Sequence, residues 1–219
     1  VNDTTIAGVK MERSDIMTRL RGPKGTPVEI DVVRRGIDRT LHFSLVRDDI
    51  STETVDVAYM IDKRNGYIRI NTFGAKTHKE FVTKLDSLKS LGMENLIIDL
   101  CGNGGGYLAS AVEIASELID EARLLVYTEG KRNPRFDYLS AGHKGKFRKG
   151  NLVIMVDETS ASASEILAGA VQDWDRGIIV GRRTFGKGLV QRPFQLFDGS
   201  MIRLTIARYY TPTGRCIQK

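Results

Sequence analysis

Apolar residues recur with different spacings along this chain, and the changes of spacing divide it into elements. Ile16 and Leu20 share one helical stripe between Met11 and Leu20, and Gly22-Pro23-Lys24-Gly25 closes that helix, because proline offers no N–H and its ring clashes with a preceding turn. Val28, Ile30 and Val32, then Leu41, Phe43 and Leu45, alternate with polar residues and predict two half-buried strands. Residues 1–50 are therefore expected to form a small α+β unit.

Alternation resumes at Val55, Val57, Tyr59 and Ile61, and Asn65-Gly66 is the residue pair that suits a two-residue hairpin turn. At Thr77 the period changes: Phe81, Leu85 and Leu88 recur at helical spacing up to Gly92. Residues 96–100 are almost wholly apolar, the pattern of a strand covered on both faces. The cycle then repeats, with a glycine loop at 102–106, a helix through Ala111, Ile114 and Leu118, and strands at 124–127 and 152–156. A helix from about Ala163 to Trp174 and an apolar strand at 178–180 follow. This alternation after residue 66 predicts an α/β core with parallel pairing.

Charge adds one feature. The chain of 219 residues has 33 Lys plus Arg against 27 Asp plus Glu, a formal +6. Residues 131–149 hold seven of those bases, Lys131 to Lys149, against Asp137 alone, so this segment accounts for the whole excess. A nucleic-acid binder would carry its excess over a face or along a helix, so nucleic acid is not the expected partner, and the segment is expected to be a solvated loop between two core strands. A sharper alternative is that it contacts acidic stretches of a substrate or partner. No apolar run approaches the roughly 20 residues that cross a bilayer. Cys101 and Cys216 belong to no metal-type pair and are expected to be free thiols.

In an open α/β sheet, ligands collect at the carboxyl ends of the strands, which directs attention to three loops. Gly102-Asn103-Gly104-Gly105-Gly106 exposes backbone N–H groups before a helix, which suits an anion or a developing oxyanion. Thr159-Ser160-Ala161-Ser162-Ala163-Ser164-Glu165 opens the next helix. Ser162 and Glu165 make an S-x-x-E capping box, yet three alternating serines exceed what a cap requires. Gly181 to Gly188 nearly matches a nucleotide-binding P-loop but has Gly188 where a Mg²⁺-binding hydroxyl should stand, and no helix start follows. What remains is Lys187 between two glycines with Phe185, Leu189, Val190 and Phe194 nearby, surroundings expected to bury it and favour its neutral, basic form. His42, His78 and His143 follow none of the apolar strands, so a serine paired with lysine is the better nucleophile and base.

Asp99 to Gly106, Ser160 to Ile166, Thr184 to Gly188 with Gln191, and Tyr209-Tyr210-Thr211-Pro212-Thr213-Gly214-Arg215 strongly resemble, in this order, the motifs of the C-terminal processing (tail-specific) peptidases. The resemblance implies a serine endopeptidase with a crotonase-like or Clp-protease-like α/β core over 51–219. It selects Ser162 as nucleophile among the three serines, Lys187 as general base and Gln191 as the residue that orients the lysine. The backbone N–H groups of Gly106 and Ala163 become the oxyanion donors. Residues 1–50 resemble the latter part of a PDZ domain, most clearly at Arg21 to Thr26. The substrates implied are protein C-terminal tails and unfolded chains, with no metal or other cofactor and a bacterial cell envelope or periplasm as the location. Cys101 stands where the family usually has arginine, which leaves open a catalytically impaired, peptide-binding or scaffolding member of the same family.

Overall fold

The structure, a computed structural model, describes residues 1–219 apart from 3, 49–52, 121, 143 and 144. Expectations that fall on His143 and Lys144 lie outside the described residues. The chain divides into two compact units, Val1–Thr52 and Glu53–Lys219.

In the first unit, helix α1 (Arg13–Leu20) precedes strands β1 (Pro27–Val32) and β2 (Leu41–Val46), which pair antiparallel with Ile30 opposite Phe43. Val28 is the one buried apolar side chain among its described residues. Polar contacts therefore carry much of its order. The Arg47 guanidinium donates to Leu20 O at 2.9 Å and Pro27 O at 2.7 Å, joining the end of α1 to the start of β1.

The second unit contains β3 (Val57–Met60), β4 (Asn65–Arg69), α2 (Thr77–Ser90), β5 (Asn95–Asp99), α3 (Leu108–Leu118), β6 (Leu124–Gly130) and β7 (Asn133–Leu139). It continues through β8 (Leu152–Val156), α4 (Ala163–Asp173), β9 (Ile178–Gly181), β10 (Leu189–Gln195) and β11 (Met201–Tyr210). Five strands form one sheet in the order β3-β4-β5-β8-β9, with β4, β5, β8 and β9 parallel and β3 antiparallel at the edge. Ile68, Phe81, Ile98, Ile114, Leu125 and Leu167 belong to one buried cluster, in which the apolar stripes of α2, α3 and α4 meet the central strands. Helices α3 and α4 pack against each other, and Ala111, Ala115, Ala168 and Ala170 are among their buried residues.

Two expectations need correction. Asn65-Gly66 is not the hairpin turn: Met60 pairs with Gly66, so both residues already belong to β4. The reversal lies at 61–64, where Asp62 Oδ1 accepts the N–H groups of Arg64 and Asn65 at 2.8 and 2.9 Å, a turn made by a side chain and not by a glycine. Nor is residue 131–149 a simple connecting loop between core strands. β6 belongs to a second, antiparallel sheet of order β10-β11-β6-β7, and part of the basic segment is β7. The Arg135 guanidinium lies 3.8 Å from the ring centroid of Tyr127, which supports the fold-back, and at Gly130 a Cβ would come within 2.2 Å of Ile206 O.

Candidate active site

The loops after β5, β8 and β9 leave the carboxyl ends of neighbouring parallel strands, so the sheet order alone puts them side by side. Hydrogen bonds then stitch them together. Ala161 N–H donates to Asn103 O at 3.0 Å, and Phe185 N–H to Ser160 O at 3.0 Å.

The alternating serines have different partners. Ser160 is fully buried, and its Oγ donates to Leu100 O at 2.8 Å and accepts the Asp157 N–H at 2.9 Å. Ser164 is equally buried and donates to Asn103 O at 2.9 Å. Ser162, between them, is half-exposed and sits at the N-cap of α4 with φ 56° and ψ −112°. A non-glycine residue at positive φ is strained, and such strain persists only where neighbours over-determine the backbone.

One of those neighbours is the glycine loop. A Cβ at Gly105, whose φ is +99°, would lie 2.7 Å from both Ala161 O and Ser162 Cβ, so the serine turn rests directly on a residue that must be glycine. Asn103 shapes the loop from within: fully buried, it donates through Nδ2 to Ile70 O at 2.7 Å and accepts the Gly105 N–H at 2.9 Å. Gly105 O in turn accepts Phe73 N–H, and Phe73 O accepts Tyr107 N–H. The Gly106 N–H between these two bonds is left over. Among the described residues neither the Gly106 N–H nor the Ala163 N–H is paired with a protein group.

Asp157, at the end of β8, adds a charged link. Its carboxylate accepts Thr159 Oγ1 at 2.7 Å, Thr159 N–H at 2.9 Å and Ser160 N–H at 3.0 Å on one oxygen, and Gly102 N–H at 3.0 Å on the other. The Thr159 hydroxyl and these amides stabilise the ionised form and hold its pKa down at about 2. Beside it, burial and the Asp99 carboxylate push the Cys101 thiol up to about 11, so Cys101 stays a protonated thiol at neutral pH. Cys101 and Cys216 are both free.

Glu165 joins the serine to the lysine loop. It is buried, and Oε2 accepts the Ser162 N–H at 2.9 Å and the Lys187 N–H at 2.8 Å. Oε1 accepts Gly186 N–H at 2.6 Å and the Thr184 hydroxyl at 2.8 Å. Sharing one oxygen, the main-chain nitrogens of Ser162 and Lys187 are at most about 6 Å apart, the sum of two ordinary hydrogen bonds. The side chains are not joined. Among the described residues no hydrogen bond links Ser162 Oγ, Lys187 Nζ and the Gln191 carboxamide. Gln191 lies exposed on β10 beside a bulge in its pairing with β11.

The apolar burial expected for Lys187 is not present. Lys187 is exposed, and Phe185 and Phe194 are 60% and 39% exposed, because β10 and β11 form a hairpin that puts much of its apolar surface in solvent. Glu165 was legible only as half of a capping box, since three of its four partners lie 19 to 22 residues away. Asn103 and Asp157 carried no signal beyond their positions after β5 and β8.

Residues 64–219 match Peptidase family S41. The chain belongs to that family. Among its relatives, the carboxyl-terminal-processing protease of Synechocystis sp. is 39% identical over 205 residues, covering 92% of this chain and 47% of the relative. The carboxy-terminal processing protease CtpA of Bacillus subtilis is 33% identical over all of this chain and 46% of its own length. The chain thus spans about half the length of the curated relatives it matches. Among solved structures, the photosystem II D1 C-terminal processing protease superposes with a TM-score of 0.70 at 32% identity, over 99% of this chain and 58% of that one. The S41 chain shares with it a mixed α/β fold of sheets and helices, and no helix of the described residues is long and apolar enough to cross a membrane.

Proposed function

We propose that the chain forms the catalytic part of a serine endopeptidase that cleaves proteins at or near their C-terminal tails, with Ser162 as nucleophile and Lys187 as general base. The observation that carries this reading is the Glu165 carboxylate, one oxygen of which holds the backbone N–H of both residues. From that fixed origin the flexible four-carbon stem of Lys187 turns toward Ser162 when a peptide occupies the site. Neutral Nζ then takes the proton of Ser162 Oγ as Oγ bonds to the scissile carbonyl carbon. The carbonyl oxygen becomes an oxyanion facing the unpaired Gly106 and Ala163 N–H groups. Lys187 returns the proton to the leaving amine, an acyl-enzyme remains, and water activated by the same Nζ hydrolyses it. Gln191, four residues after the lysine, orients its ammonium or amine.

The site uses side chains and backbone amides throughout, so the reading invokes no metal or other cofactor. Residues 51–219 are read as a crotonase-like or Clp-protease-like core and 1–50 as the latter part of a PDZ domain; the division between Thr52 and Glu53 supports this partition. A PDZ domain recruits a C-terminal tail as an added strand, which accords with the names of the relatives. A bacterial cell envelope or periplasm is the location that goes with such substrates.

The exposed Lys187, without a hydrogen bond to Ser162, favours one second reading: a catalytically impaired member that binds peptides. Casein hydrolysis by the wild type, Ser162→Ala and Lys187→Ala separates the two. The proposal expects activity that either substitution reduces to background. Three equally inactive proteins that still bind peptide would establish the second reading instead.

A further inference from the structure

The motif from Tyr209 to Arg215 has no role in the proposed chemistry, and its place in the fold supplies one. After β11 the chain reverses through a turn in which Gly214 N–H donates to Thr211 O and Thr211 N–H to Arg215 O, each at 2.9 Å. Asp173, the last residue of α4, pins the turn by accepting the Thr213 N–H at 2.9 Å and hydroxyl at 2.7 Å and by pairing with Arg215. Residues 216–219 are thereby sent back along the lysine loop.

Their contacts fall on both peptides that flank Lys187. Gly188 N–H donates to Gln218 Oε1 at 3.0 Å, Lys219 N–H donates to Gly186 O at 3.1 Å, and Tyr209 N–H to Gly188 O at 2.8 Å. The approach is close: a Cβ at Gly188 would lie 2.3 Å from Gln218 N, and one at Gly186 2.5 Å from Lys219 Cβ. Between this strap and α4 lies a cavity of about 420 Å³ that reaches Glu165, Gly186 and Gln218. Dense packing does not hold the loop on that side, so hydrogen bonds must do so. Glu165 fixes the N–H groups of Gly186 and Lys187, and Gln218 is the side chain that fixes the peptide after them.

We propose that Gln218 is a positioning residue for Lys187: its carboxamide oxygen holds the Gly188 peptide and so sets the direction in which the lysine side chain leaves the main chain. The inference rests on the reading of Ser162 and Lys187 as nucleophile and base. It accounts for the glycines on both sides of the lysine, which admit the strap, and for the motif that aims it.

Steady-state hydrolysis of a short neutral peptide tests it. Gln218→Ala is expected to lower kcat by about 10-fold or more with KM within about 2-fold, the signature of lost transition-state geometry without lost substrate binding. Gln218→Glu keeps an oxygen acceptor for Gly188 N–H and should hold kcat within about 3-fold of wild type. If Gln218→Ala fails to fold, Gln218→Met, of similar length without the acceptor, takes its place in the comparison. Wild-type kcat in the acceptor-less variant, equal losses in it and in Gln218→Glu, or a loss confined to KM would each overturn the proposal. Ser162→Ala, measured in parallel, separates the two levels: if it hydrolyses the peptide normally, the Ser/Lys reading itself fails, whatever Gln218 does.

Discussion

Removing the Ser160 hydroxyl leaves Asp157 N–H without its acceptor in the seam between two loops, and takes from Leu100 O one of its two donors, the other being Asn103 N–H. Unsatisfied buried groups of this kind cost about 1–3 kcal/mol. Ser160→Ala should therefore lower the urea midpoint by a corresponding amount while the folded fraction still hydrolyses peptide, whereas Ser162→Ala should do the reverse. The sequence showed that three alternating serines were too many for one cap but could not tell a stitch from a nucleophile. The partners that distinguish them, Leu100 and Asn103, are about sixty residues distant in sequence. Asp157 gives this seam a pH dependence. Its folded pKa of about 2 lies below the usual carboxylate value, so its contribution is fully present above about pH 4 and is lost as pH falls from 4 through 2. Stability followed by circular dichroism against pH should fall across that window in the wild type and less steeply in Asp157→Asn.

Helix α4 works as a joint between loops as well as a core helix. Its first turn presents Glu165, which was visible in the sequence as a local cap and proves to bind three groups of the lysine loop as well. Glu165→Ala would leave those partly buried donors without their acceptor, at a cost of about 2 kcal/mol. Limited proteolysis should then cut within 183–188 sooner than in wild type, and peptide hydrolysis should be lost although Ser162 and Lys187 are both present. The three loops at 102, 157 and 182 were readable as candidates for one edge because each follows an apolar run, and the strand order β5-β8-β9 sets them side by side. The second sheet was not readable in the same way. β6 has the apolar pattern of a core strand, and what assigns it elsewhere is its pairing with β11, some eighty residues later.

At the scale of the molecule, the excess positive charge that looked like one patch is divided by the fold. Lys131, Arg132 and Arg135 lie at the β6–β7 reversal, Arg135 paired with Asp137, while Lys146, after β7, pairs with Asp86 of α2. Strand β7 thus separates the two groups along the chain, and Arg135 and Lys146 have different acidic partners. The β10–β11 hairpin is the other large-scale feature, with Leu196, Phe197, Met201, Ile202 and Leu204 all exposed. Lys187 lies just before it, and that position explains why apolar neighbours in sequence did not become burial in space. β10 is also an outer strand of its sheet, and it carries Pro193 in its middle and a bulge at Val190/Gln191. A proline has no N–H to offer and a bulge breaks the ladder, so this greasy border cannot template a neighbouring molecule's strand along its length. These two irregularities thus guard the protein against association through its own edge.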